Sequence, residues 1–153
     1  MKKKPKVLFL STGNATRSQM AEGFVRALGQ ERFEAASAGL EPGALNPMAV
    51  EVMKEVGIDI SGQRAKNVKE SLKEHFGYVI TVCDAAREKA PVFPFTPNLV
   101  HWSLYDPEGD FQNPAEKRDV FRRVRNEIQA KVESFLEETA KQKPQLAKTA
   151  EAR

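Results

Sequence analysis

The stretch from Val7 to Gly29 constrains the fold most. Val7-Leu8-Phe9-Leu10 is a continuous apolar run with polar neighbours, the pattern of a strand buried on both faces. Ser11-Thr12-Gly13-Asn14 follows as a turn. Apolar residues then recur at Met20, Ala21, Phe24, Val25 and Leu28, one face of a helix that Gly29 should stop. A strand, a tight polar loop and a helix, in that order, begin an α/β domain with parallel strands.

The rest of the chain repeats the alternation. Phe33–Ala38 reads as a second strand, closed by Gly39. Asn46-Pro47 reads as a cap and first position of a helix that buries Ala49, Val52, Met53 and Val56 and ends at Gly57. Asn67 is placed to cap a short helix carrying Val68, Leu72 and Phe76. Tyr78–Val82 is a third strand, Ala85–Lys89 a helical turn, and Leu99–Trp102 a fourth strand. Pro91, Pro94 and Pro97 break regular structure between them. A long helix starts at Pro114, with Val120, Phe121, Val124, Ile128, Val132, Phe135 and Leu136 along one side. The expected architecture is three-layered: a four-stranded parallel sheet flanked by helices. It forms one domain over residues 6–140, between a basic tail at 1–5 and a polar, frayed tail at 141–153.

Charge and cysteine content narrow the function classes. The chain has 153 residues and a net charge of +3. The excess sits at the ends: the interval 7–140 holds 16 basic and 20 acidic residues. No basic stripe with interleaved aromatics runs through the body, so nucleic acid is not an expected partner. No apolar run approaches the ~20 residues of a membrane span, and no secretory h-region follows the first lysines. A cytoplasmic monomer is expected, without a membrane partner. The one cysteine, Cys83, excludes a disulfide framework and a cysteine zinc site. His75 and His101 lack ligand-like spacing, so neither a metal nor a cofactor is expected.

Parallel sheets bind ligands at the carboxyl ends of their strands. Three polar segments qualify: Ser11–Ser18, Cys83-Asp84 and Tyr105-Asp106-Pro107. The first turns several backbone N–H groups toward one point at a helix N-terminus, where the dipole favours an anion. Arg17 adds a planar fork suited to a tetrahedral oxyanion. The loop lacks the Gly-Lys-Ser/Thr ending of a nucleotide loop and the three-glycine dinucleotide pattern. One oxyanion, held by Ser11, Thr12, Gly13, Asn14, Ala15, Thr16, Arg17 and Ser18, is the expected ligand. Asn14 is expected in a left-handed conformation, tying the loop with its amide. Thr16 and Ser18 are candidate donors to position 11, and Ser18 also reads as the N-cap of the first helix. Glu22 reads as structural or solvated, Lys66 as a counter-charge, and His101 as a structural imidazole.

The run from Val7 to Gly23, with Arg17-Ser18-Gln19-Met20-Ala21-Glu22 at its centre, closely resembles the signature of low-molecular-weight tyrosine phosphatases. It is most similar to their relatives, the thioredoxin-coupled arsenate reductases. Ser37-Ala38-Gly39, Val56–Ser61, Val79–Asp84, His101-Trp102 and Asp106-Pro107 extend the resemblance over roughly residues 6–136. The family opens its loop with a nucleophilic cysteine, and here that position is Ser11. A serine without a neighbouring base is a weak nucleophile. The resemblance therefore implies a chain that binds arsenate or phosphate and turns it over poorly or not at all. Whether Ser11 is native or a substitution stays open.

The resemblance further implies that Asp106 is the general acid and Cys83 the second thiol of a relay. The third thiol would stand at Ala90, and thioredoxin or another thiol would be the reductant. Glu108 and Gly109 follow Asp106-Pro107 where the phosphatases usually carry aromatics, which favours a small inorganic substrate. A phosphatase acting on small phosphomonoesters and a non-catalytic phosphate or arsenate binder remain as alternatives.

Overall fold

The computed structural model describes residues 4–91, 93, 96–109 and 113–152, with side chains up to 141. The elements are β1 (Lys6–Ser11), α1 (Arg17–Leu28), β2 (Glu34–Gly39), α2 (Pro47–Lys54), a 3-10 turn (Val68–Ser71), β3 (Tyr78–Thr81), α3 (Asp84–Lys89), β4 (Asn98–His101) and α4 (Pro114–Ala152). All strand pairs are parallel, in the order β2-β1-β3-β4.

Successive residues of a strand face opposite sides of the sheet, and β1 shows why its run is apolar throughout. Val7 and Phe9 enter one core with Met20, Phe24, Val52, Met53, Phe121 and Ile128. Leu8 and Leu10 enter a second core with Val68, Phe76, Ala86 and Phe93. Each strand residue from Val7 to Leu10 has no exposed surface. After β1 the chain passes to β2 on one side and then to β3 on the other. The carboxyl end of β1 is therefore the switch point at which open parallel sheets hold ligands.

Both expected helix caps at asparagine are present. Asn46 Oδ1 accepts the Met48 N–H at 2.8 Å. Asn67 forms a capping box with Glu70, although the helix it starts is only the 3-10 turn. Other expectations need correction. Val56 is exposed, because α2 ends at Lys54 and Val56 lies in the turn through Gly57, whose φ is +80°. Leu28, the last residue of α1, is also exposed. Helix α4 spans Pro114–Ala152. Pro94 lies outside the described residues.

Candidate oxyanion site

The loop between β1 and α1 is held from outside by its carbonyl groups. The Leu40, Glu41, Gly43 and Asn46 N–H groups donate to the carbonyls of Ser11, Thr12, Gly13 and Ala15, at 2.8–3.1 Å. With these carbonyls turned outward, the N–H groups of Thr12, Gly13, Ala15, Thr16, Arg17 and Ser18 take no acceptor among the described residues. N–H groups without an acceptor at a helix N-terminus are the general setting for a candidate anion cradle. Gly39 makes the close approach possible: a Cβ there would stand 2.8 Å from the Thr12 carbonyl oxygen and 3.0 Å from the Asn14 nitrogen.

Asn14 has φ +52°, as its sequence position suggested. It is completely buried, and its side chain fastens three segments. Nδ2 donates to Ser18 Oγ at 2.9 Å, while Oδ1 accepts from Lys66 N at 2.8 Å and Gln19 Nε2 at 3.2 Å. Gln19 also donates to the Arg64 carbonyl, and Gln63 donates back to Gln19. The roles of Gln19 and Gln63 were not legible in the sequence, since these contacts join residues more than 40 positions apart.

Ser11 Oγ accepts the Asn14 N–H at 2.9 Å and shares a hydrogen bond of 2.8 Å with Ser18 Oγ. Ser18 therefore reaches position 11 as expected, but it is not the N-cap. Thr16 holds the cap position without a side-chain bond, and its Oγ1 is buried with no partner among the described residues. The expected donation from Thr16 to Ser11 is thus absent. The Ser18 hydroxyl is drawn into the Ser11–Asn14 network and is unavailable to cap.

Arg17 opens α1 beside the cradle. Its Nη1 donates to the Leu104 carbonyl at 3.0 Å, and its Nη2 lies 4.0 Å from Asp106 Oδ2. Asp106 is more than half exposed, and its other oxygen accepts the Glu108 N–H at 2.9 Å. Cys83 is buried, its Sγ 3.5 Å from Thr12 Oγ1. The three segments chosen from sequence thus converge on one loop.

His101 does not join them. Its Nε2 pairs with Asp84 Oδ1 at 2.9 Å and its Nδ1 with Thr81 Oγ1 at 2.7 Å, so both nitrogens are occupied away from Ser11. Glu22 is buried and structural, bonded to Ser37 and Arg26. Lys66 Nζ lies 3.8 Å from Glu22. Burial pushes this ammonium below its usual range; Glu22 opposes the shift, while Arg64 and Arg26 add to it. No group of three or more His, Cys, Asp or Glu among the described residues is placed to hold a metal ion.

The family model for low molecular weight phosphotyrosine protein phosphatase matches residues 6–145. The chain belongs to this family. Within it, the chain is 42% identical over 131 residues to the arsenate reductase of Shouchella clausii, covering 86% of this chain and 94% of that relative. A solved arsenate reductase in a phosphate-binding state superposes with a TM-score of 0.75 at 33% identity, covering 88% of this chain and 98% of that one. The thioredoxin-dependent arsenate reductase of Corynebacterium glutamicum gives 0.64 at 26% identity, covering 86% of this chain and 61% of that one. By its resemblance to this family and to its arsenate reductases, the chain is of an enzyme family.

Among the described residues no helix is long and apolar enough to cross a membrane.

Proposed function

We propose that this chain is an arsenate reductase-type protein that binds arsenate or phosphate in the loop Ser11–Ser18 and does not turn it over. The hydrogen bonding of the loop carbonyls to segment 40–46 supports the reading, because it leaves six N–H groups for one tetrahedral ion, with Arg17 beside them although its Nη1 is engaged by the Leu104 carbonyl. Ser11 supports the second half. Among the described residues no base contacts its hydroxyl, whose two hydrogen-bond partners are Asn14 N and Ser18 Oγ. With Ser18 as the donor, Ser11 accepts twice and its own hydrogen is free for an oxygen of the bound ion. A thiolate would instead set a negative charge against that ion.

On this reading, Asp106 is the general acid and Cys83 the second thiol of a relay that lacks its first member. Arsenate is the substrate class, and thioredoxin or another thiol is the reductant of a form with the loop cysteine. The free thiol suits a reducing, cytoplasmic setting. We place the domain at 6–140, acting as a monomer without a metal, cofactor, nucleic acid or membrane. Ser11 also favours a second reading, in which holding phosphate or arsenate is itself the function.

Thermal unfolding during arsenate titration tests the proposal. A ligand at 100 times its Kd stabilises the folded state by about 2.7 kcal/mol. The parent should gain stability with arsenate and with phosphate, and Arg17→Ala should lose that response. Equal behaviour of parent and variant at millimolar arsenate would refute the reading.

A further inference from the structure

Helix α3 follows Cys83 directly and is short. It has six residues, and Ala86 alone among them is buried. A cavity of about 430 Å3 lies between the helix and β4, with Arg87 and Ala90 on one side and Leu99, Val100 and His101 on the other. Among the described residues, the side chains of α3 make one hydrogen bond to the rest of the fold. It joins Asp84 Oδ1 to His101 Nε2 at 2.9 Å.

The two partners of this bond differ. The His101 side chain is 16% exposed and Asp84 71%. The sheet fixes the ring: His101 stands opposite Thr81 in the β3–β4 register, and its Nδ1 lies 2.7 Å from Thr81 Oγ1. In the neutral ring, Nδ1 accepts the Thr81 hydroxyl hydrogen and Nε2–H donates to Asp84. In the protonated ring, Nδ1–H donates to Thr81, whose hydroxyl turns to the Val100 carbonyl at 3.4 Å. Nε2–H still donates to Asp84, so the bond persists in either state. Asp84 is the next residue after Cys83, whose Sγ is buried 3.5 Å from Thr12 Oγ1. The Cys83 carbonyl accepts the Arg87 N–H at 3.1 Å and closes the first turn of α3. Opening that turn moves Cys83 with it.

We propose that His101 is a positioning residue for Cys83: by holding Asp84 it latches α3 shut and sets how often the buried thiol becomes reachable from solvent. Such access follows the equilibrium of local opening rather than global unfolding. The latch lies outside the loop Ser11–Ser18 and needs no bound ion. Where Cys83 serves as the second thiol, which rests on the relay reading above, opening the latch is the step that frees it toward position 90.

The test follows alkylation of the full chain by iodoacetamide, without arsenate, by mass spectrometry. Cys83 is the single cysteine, so thiol alkylation reports this residue alone. His101→Ala and Asp84→Ala should each speed alkylation about fivefold, the scale of one net hydrogen bond. Both should raise hydrogen exchange over residues 84–89. The double variant should be no faster than either single, because the same bond is lost in all three. His101→Gln keeps a donor near the place of Nε2, and Asp84→Asn keeps an acceptor oxygen. Both should stay near the parent rate, a rescue that a role in packing alone would not give.

Parent-like alkylation of folded Asp84→Ala would overturn the proposal; because Asp84 is exposed, this variant keeps the test open even where His101→Ala does not fold. A double variant whose acceleration equals the product of the two singles would also overturn it, by making the two residues independent. Arsenate does not enter the measurement, so failure of the oxyanion reading would leave these rates unchanged.

Discussion

Ser11 and Ser18 are joined by a 2.8 Å hydrogen bond across the loop between β1 and α1. The bond puts the Ser18 hydroxyl beside position 11, where the resemblance implies a nucleophilic sulfur in the family. The Asn14 N–H supplies a second donor to the same atom. An environment of two donors at a helix N-terminus stabilises a thiolate, but it does nothing to deprotonate an alcohol.

Ser11→Cys should therefore switch on hydrolysis of p-nitrophenyl phosphate at millimolar substrate, read by release of the phenolate. The surrounding groups already supply electrostatic stabilisation. Adding Asp106→Asn should lower that activity about 100-fold for an ester with a poor leaving group, the scale of a lost general acid. The loss should be smaller for p-nitrophenyl phosphate, which needs little protonation on leaving. A folded Ser11→Cys protein with no activity would mean that the loop is not a phosphoryl cradle.

The parts of this site that could be read from sequence are those whose cause is local. The apolar run, the turn and the helix of residues 7–28 follow from neighbours in the chain, and so does the left-handed Asn14. The supports are not local. Segment 40–46 fixes the loop carbonyls, Gly39 allows close approach, and Lys66 N meets Asn14 Oδ1 across 52 positions. Ser18 shows how a local rule fails. A serine near a helix start is a good cap, yet tertiary contacts with Ser11 and Asn14 hold its hydroxyl one turn into the site. Val56 fits the spacing of a buried helix face, but α2 stops two residues before it.

Away from the site, Glu55 links α2 to α4. Its carboxylate accepts from Arg122 and Arg125. The Arg122 hydrogen bond, with help from Arg125 and against a desolvation cost, lowers its pKa to about 2 from 4.5. A depressed carboxyl pKa contributes stability that is present above the unfolded value and lost as pH falls through the folded one. The contribution of Glu55 should therefore decline between about pH 4.5 and pH 2. Exposure and salt screening keep it small. Urea unfolding across that range should show a shallower pH dependence for Glu55→Gln than for the parent. Identical slopes would mean the pair adds nothing.

Cys83 provides the test that separates reductase from phosphatase chemistry. Its Sγ lies 3.5 Å from Thr12 Oγ1, next in sequence to Ser11, and its side chain is not used to cap α3. With one thiol in the chain, no intramolecular disulfide can form. In Ser11→Cys, the new thiolate can attack arsenate, forming a sulfur–arsenic bond as one arsenic–oxygen bond breaks. That oxygen leaves as water with a proton from Asp106, the general acid of the proposed reading; Cys83 can then attack the sulfur. The sulfur–arsenic bond breaks, its electron pair reduces arsenic to arsenite, and an 11–83 disulfide remains. The expected outcome is one arsenite per chain.

Ala90 caps the far end of α3. At a rise of ~1.5 Å per residue, seven positions of helix span ~10 Å, beyond the ~7 Å that a disulfide tolerates between Cα atoms. An 83–90 bond therefore requires α3 to unwind. Adding Ala90→Cys should allow that bond, free the thiol at position 11, and give repeated turnover when thioredoxin is supplied. Mass spectrometry after iodoacetamide trapping would identify each disulfide, and hydrogen exchange should increase over residues 84–89 once the 83–90 bond has formed. Repeated turnover by Ser11→Cys alone with thioredoxin would remove position 90 from the cycle. Absence of any arsenate-dependent disulfide, with aryl phosphate hydrolysis intact, would assign the scaffold to phosphatase chemistry.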